Sequence, residues 1–156
     1  MRLKTKLNKQ TLYFVKKLIM FSIGFFLYSL IEVLFRGYTY FTMGVLGGII
    51  LLLVDSINNN LSWDIDLIWQ GIIGSFAITT CELFLGEILK KINIPAMWDY
   101  SNMPFNYDGV ICLPFSVIWI CISIVGILVA DFINYYIFKE EPKPYYSILG
   151  KIFFTL

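Results

Sequence analysis

The sequence predicts an all-α, polytopic membrane protein with four transmembrane helices in a small bundle, and three observations lead there. Of 156 residues, 58% are hydrophobic and 15% charged, with a mean hydropathy of +0.75. That is too apolar and too poor in charge for a domain solvated by water. Four apolar stretches approach or exceed the roughly 20 residues a helix needs to cross hydrocarbon. Lysine and arginine are crowded on one side of those stretches, as in membrane proteins that retain their basic segments in the cytoplasm. The chain reads as one transmembrane domain over residues 1–156. Its helices run over about 12–35, 38–57, 67–90 and 109–138, with an outer loop over 91–108.

The first helix has a basic flank, but its apolar run, Leu18 to Phe35, exceeds the roughly 7–15 residues of a signal-peptide core. Arg36-Gly37-Tyr38 is a poor cleavage site, so the segment reads as a retained anchor. Helices one and two form a nearly continuous apolar run broken only at Arg36-Gly37. Gly37 can supply the backbone freedom for a tight helical hairpin there. The second helix carries a stripe of Gly37, Tyr40, Gly44, Gly48, Leu51 and Asp55, whose Gly44 to Gly48 face suits helix packing or self-association.

The third helix places Gly71, Ser75, Thr79, Glu82 and Gly86 at steps of four, four, three and four, hence on one face. The fourth repeats the rhythm with Cys112, Ser116, Trp119, Ser123, Gly126, Ala130 and Asn134. Small residues on such faces let helices approach closely in lipid. Asp108 is expected to cap the fourth helix, and Pro114 to kink it by removing a backbone donor inside its second turn. Lys139 to Pro144 should end it, and Tyr145 to Leu156 reads as a short apolar tail lying on the membrane or against a partner.

Orientation follows from the basic residues. The N-terminal segment holds six (Arg2, Lys4, Lys6, Lys9, Lys16, Lys17) and the C-terminal one three (Lys139, Lys143, Lys151), nine on the side the two tails share. The other side holds Arg36, Lys90 and Lys91. Nine against three puts both termini in the cytoplasm. Trp63, Trp69, Tyr13, Tyr135 and Tyr136 then mark the inner interface, and Tyr38, Tyr40, Trp98, Tyr100 and Tyr107 the outer one.

Several function classes are excluded. A net charge of +1 gives no reason to expect a nucleic-acid partner. With no histidine, the commonest general base and metal ligand is missing. No phosphate-binding glycine-lysine loop occurs, so this chain is not itself the ATPase of a transport system. Cys81, Cys112 and Cys121 lie in apolar stretches without metal-binding spacing and read as free thiols. No cofactor and no metal are expected.

A charge near the bilayer centre costs about 2.5–3.5 kcal/mol even on lenient insertion scales, so Glu82 requires a partner or a water-filled cavity. Glu32 and Arg36 stand four apart on the first helix in the favourable order for a pair. Arg36 can equally reach toward Glu82. Asp55, Glu87 and Asp131 lie nearer helix ends, where snorkelling or interfacial water suffices. The candidate polar site is Glu82, Glu32 and Arg36 with Asp99, Tyr100, Ser101 and Asn106 of the outer loop. The candidate packing residues are Gly44, Gly48, Gly71, Ser75, Thr79 and Gly86.

One run is specific enough to carry a resemblance. Trp98-Asp99-Tyr100-Ser101-Asn102-Met103-Pro104-Phe105-Asn106 and Gly109-Val110-Ile111-Cys112, with Glu82 to Gly86, Glu32 to Thr39 and Gly47-Gly48, resemble the bacterial family named putative type IV ABC-transporter membrane proteins. The likeness covers about residues 28–146. It implies a multi-pass protein of the bacterial plasma membrane, engaged in transport. Without its own nucleotide motif, such a protein needs a separate ATPase or permease subunit, and four short helices favour a homo-oligomer or another partner. Two other readings stay open: an accessory or assembly protein with no site of its own, and a membrane-embedded enzyme acting on a lipid-linked substrate through Glu82 and Asp99.

Overall fold

The computed structural model describes residues 8–95, 97–140 and 142–155. Arg2, Lys4 and Lys6, counted above toward orientation, lie outside the described residues.

The chain is mostly helical. Helix α1 is Lys9–Arg36, α2 Phe41–Asn60, α3 Leu67–Lys91 and α4 Leu113–Phe132, the last running into a π-helical turn, Ile133–Ile137. Three of these segments are long and apolar enough to cross a membrane: α1, α3 and the run Leu113–Ile137. The apolar part of α2, Phe41–Ile57, is shorter. Residue contacts divide the chain into two compact units, Met1–Leu52 and Leu53–Leu156.

Local chemistry accounts for the helix ends. Asn8 accepts from the Gln10 N–H at the start of α1, and Asp66 accepts from the Ile68 N–H at 3.1 Å at the start of α3. Each satisfies a donor the helix cannot. Gly37 ends α1 in the left-handed region at φ 83°, its N–H returning to the Val33 carbonyl at 2.8 Å, a geometry that favours glycine. Lys90 and Lys91 close α3, where cations complement the helix dipole.

In the first unit, α1 and the start of α2 meet glycine against aromatic. Gly44, Gly47 and Gly48 lie under Phe25, Tyr28 and Phe21, respectively. At Gly24 the backbones themselves are close: a Cβ there would stand 2.6 Å from the Gly47 carbonyl oxygen and 3.0 Å from the Gly48 Cα. The glycine face that the sequence offers for self-association is therefore occupied within the unit.

In the second unit, α3 and α4 pack through their small residues. Gly71 faces Ile124 and the Ile120 carbonyl, and Gly74 faces Ser123. Ser75 donates to the Ser116 carbonyl at 2.5 Å, and the Thr79 and Ser116 hydroxyls are 3.1 Å apart. Gly86 leaves room for Val110. Large apolar side chains point outward: Phe76 on α3 is 75% exposed and Phe35 on α1 86%. Small and polar inside with large and apolar outside is the arrangement lipid favours.

The structure corrects the all-α expectation in two places. Strands β1 (Asn106–Tyr107) and β2 (Ile111–Cys112) form one antiparallel hairpin. Strands β3 (Tyr145–Ile148) and β4 (Lys151–Thr155) form another, in place of the apolar tail. The tail folds because Tyr146 buries its ring, while Tyr145 donates to Asp64 at 2.8 Å and the Gly150 N–H to Asp66 at 3.2 Å.

Asp108 does not cap α4. With Gly109 it forms the turn between β1 and β2, at φ 52° and 69° with the Val110 N–H returning to the Tyr107 carbonyl at 3.0 Å, the pattern expected of an Asp-Gly hairpin. The fourth helix consequently begins at Leu113 rather than near 109, and Pro114 falls in its first turn. A first-turn N–H has no intrahelical partner, so proline fits there without the expected kink.

Candidate functional site

Glu82 is the most deeply buried of the expected site residues, at 3% exposure. Its α3 stripe faces α4, which brings the Trp119 indole N–H to one carboxylate oxygen at 3.0 Å. The second oxygen accepts from the Tyr100 hydroxyl at 3.3 Å. Tyr100 comes from the loop between α3 and α4, where its ring is buried and stacks on Phe115 with centroids 4.6 Å apart. One acid on α3, one indole on α4 and one phenol on the loop therefore make a closed polar centre within the second unit. Two donors on a buried carboxyl are the compensation its desolvation requires.

The loop that delivers Tyr100 is held by its own hydrogen bonds. Asp99 accepts from the Ser101 N–H at 2.8 Å and the Ser101 hydroxyl at 2.5 Å. Asn106 donates to the Met103 carbonyl at 2.8 Å and accepts from the Gly109 N–H at 3.1 Å. Tyr100 N–H reaches the Gly109 carbonyl at 2.8 Å, and Trp98 donates through its indole to the Val110 carbonyl at 2.7 Å. Gly109, at φ 69°, sits where a side chain would collide with the Ser101 hydroxyl. Lys90 at the end of α3 pairs with Asp108 and fastens the hairpin to the helix. Asp99, Ser101 and Asn106 thus shape the loop, and Tyr100 carries it to Glu82.

The Ser101 hydroxyl, and after it the Ser101 N–H, hold the Asp99 carboxyl below the usual aspartate range. A lowered folded-state value means that this order is present above the ordinary aspartate range and is lost as pH falls through the depressed value. The near-UV signal of Trp98 and Tyr100 is expected to persist at mildly acidic pH and fade only below the aspartate range. Asp99→Ala should lose it already at neutral pH and open the loop to proteolysis near Phe105. A wild-type signal that titrates with an ordinary aspartate would refute this.

Glu32 and Arg36 meet each other in the first unit, 2.8 Å apart. Thr39 adds a hydroxyl to Glu32 at 2.7 Å, and the Tyr38 and Tyr40 rings lie 4.8 and 5.4 Å from the guanidinium carbon. Arg36 thus makes an i to i+4 pair with Glu32, flanked by cation–π contacts.

The structure contains a second buried polar centre that the sequence reading does not predict. Asp55 and Asp131 are not snorkelling: they are 1% and 4% exposed. Asn134 donates to Asp55 at 2.7 Å, and the Tyr146 hydroxyl donates to Asp131 at 2.9 Å. Burial, and then the neighbouring Asp131, raise the Tyr146 phenol well above its usual value. The signal was present, since the α2 and α4 stripes end at Asp55 and Asn134; what the sequence lacked was the hairpin that brings Tyr146 back. Among the described residues, no group of three or more His, Cys, Asp or Glu side chains is placed to hold a metal ion.

The family model described as Putative ABC-transporter type IV matches residues 19–156, from within α1 through the C-terminal hairpin. The chain belongs to this family. The match takes in Glu82, Tyr100 and Trp119 as well as the Asp55–Asn134 and Asp131–Tyr146 pairs, so both buried centres lie inside the family region. Family and apolar helices together make it a membrane protein of a transporter family. No curated protein and no solved structure matches the chain.

Proposed function

We propose that this chain is a four-span membrane component of an ABC-type transport system, with both termini cytoplasmic in a bacterial plasma membrane. A separate ATPase or permease subunit completes the system, and the polar centre around Glu82 lies near the outer leaflet. The observation that carries this reading is the buried Glu82 carboxyl, held by one donor from a helix and one from a loop. A carboxyl sealed in this way becomes an acceptor for a passing solute when the loop donor leaves. Tyr100 is such a donor because it belongs to a loop: its release requires the exposed Lys90–Asp108 pair, worth at most about 1 kcal/mol, and its stacking on Phe115 to give together.

A four-span topology requires α2 to cross as well. Its apolar part, Phe41–Ile57, rises roughly 25 Å at 1.5 Å per residue, against a hydrocarbon core of about 30 Å. The polar Asn59 and Asn60 then meet the interface. The enzyme reading gains nothing from the geometry, since Asp99, its second carboxylate, is engaged by Ser101.

The test is to tag the C-terminus, extract native membranes gently and identify what co-purifies with wild type and with Glu82→Gln. An ATPase or permease retained by both, with transport lost only in the variant, is the expected result. A chain that comes down alone as a monomer would overturn the subunit reading.

A further inference from the structure

The C-terminal hairpin turns on Leu149 and Gly150, both at positive φ, 52° and 73°, between the paired residues Ile148 and Lys151. Two central residues at positive φ are what a type I′ turn requires, and Asn or Asp is favoured ahead of the glycine. The other hairpin obeys that preference with Asp108 and Gly109, at φ 52° and 69°. At 149 the chain instead places a leucine, a bulky residue that is an outlier in this region, and leaves it 86% exposed. A second irregularity lies close by. Tyr146 pairs with Phe154 and Ser147 with Ile152, so Phe153 is the extra residue of a bulge, a device that re-aims side chains. Ile152 and Phe153 are both exposed. Two departures from regular backbone thus accompany apolar side chains that the described fold leaves uncovered, and strain held in this way points to a function.

The position of the tip identifies what covers it. The Gly150 N–H is bonded to Asp66 at 3.2 Å, and Asp66 is the residue at which α3 begins. A helix of 25 residues is about 37 Å long, against roughly 30 Å of hydrocarbon and 40–45 Å with the headgroups. A centred α3 therefore starts in the headgroup region, with the tip beside it. Trp69, three residues further along α3, is exposed and is of the type that marks this depth. Two more bonds hold the hairpin at the same level, from Tyr145 to Asp64 and from Tyr146 to Asp131. Residues 145–155 contain one lysine, Lys151, and no acidic residue, a balance that suits a surface of lipid phosphates.

We propose that the tip of this hairpin is an interfacial anchor, with Leu149, Ile152 and Phe153 seated at the boundary of headgroups and acyl chains beside the start of α3. The anchor requires α3 to cross the bilayer. It is independent of transport and of which leaflet faces the cytoplasm.

The test places a small fluorescent amino acid at Phe153 of the full chain, in nanodiscs whose phosphatidylcholine is spin-labelled either near the top of its acyl chain or near its end. The same probe at Phe76, exposed on α3 and roughly 14 Å beyond its first residue, reports whether α3 crosses. The Phe153 probe is expected to be quenched at least about twofold more by the shallow label than by the deep one, and the Phe76 probe the reverse. Leu149→Asn suits the turn, so it should leave the near-UV spectrum unchanged while cutting the shallow quenching at 153 by about half. A Phe76 probe quenched by the deep label, with a Phe153 probe quenched by neither, would overturn the anchor and give the tip to water or to a protein partner. A Phe76 probe that the deep label does not reach would remove the crossing itself, and the anchor with it. Shallow quenching unaltered by Leu149→Asn would overturn the part assigned to Leu149. Should the probe at 153 disturb the fold, the same probe at Ile152 decides.

Discussion

Gly24→Ala is expected to be among the most damaging single substitutions in the protein, although it adds one methyl group. The added Cβ would lie 2.6 Å from the Gly47 carbonyl oxygen, 2.7 Å from the Leu51 Cβ and 3.0 Å from the Gly48 Cα. Two of those atoms are backbone and cannot rotate aside, so α1 and α2 must separate, loosening the seats of Phe21, Phe25 and Tyr28 as they do. Overpacking of this kind costs about 2–3 kcal/mol. Gly37→Ala is the matched control: no heavy atom lies within 4 Å of its Cβ position, and its penalty is confined to the left-handed backbone, about 1 kcal/mol. Reversible unfolding in mixed detergent should rank Gly24→Ala well below Gly37→Ala. Equal effects would mean that the α1–α2 approach is looser than the geometry requires.

The second large effect is expected at Trp119. Trp119→Phe removes the indole donor to Glu82 and leaves unfilled volume in a buried place. Lost hydrogen bond and lost packing together should cost about 3–4 kcal/mol. Tyr100→Phe removes only a hydroxyl and should cost about 1–2 kcal/mol. If the carboxyl is what both donors serve, the Tyr100→Phe cost falls to near zero in a Glu82→Met background, and the Trp119→Phe cost falls to its packing part. Costs that simply add, with no dependence on residue 82, would show that the two aromatics matter only as bulk.

Much of this architecture is legible in the sequence. Lipid leaves a strong mark on composition, so the four helices were found to within a few residues, and Gly37 was read as the break between α1 and α2. Glu82 stood out because an acid on a face of small residues has few places to go. Other parts were misread for identifiable reasons. Asp108 reads as a cap if a helix follows directly, but Asp-Gly between short β-prone runs is the stronger hairpin signal. Tyr145 to Leu156 reads as a tail because its strands are too short for alternation to distinguish them from an interfacial segment. Asp55 and Asp131 read from the sequence as snorkelling or meeting interfacial water because their distance from helix ends is visible there, whereas Asn134 and Tyr146 reach them only through tertiary structure.

Asp66 divides its two carboxylate oxygens between elements made far apart in time. One receives the Ile68 N–H in the first turn of α3, and the other the Gly150 N–H at the tip of the C-terminal hairpin. During synthesis the first of these can form as soon as α3 begins to fold, but the second must wait until Gly150, 84 residues further on, has been made. The helix start is thus finished only when the chain has come round to it, and a nascent protein stalled before Gly150 would hold that oxygen open to water. Asp66 therefore ties the start of α3 to a residue 84 positions further along the chain, one oxygen to each.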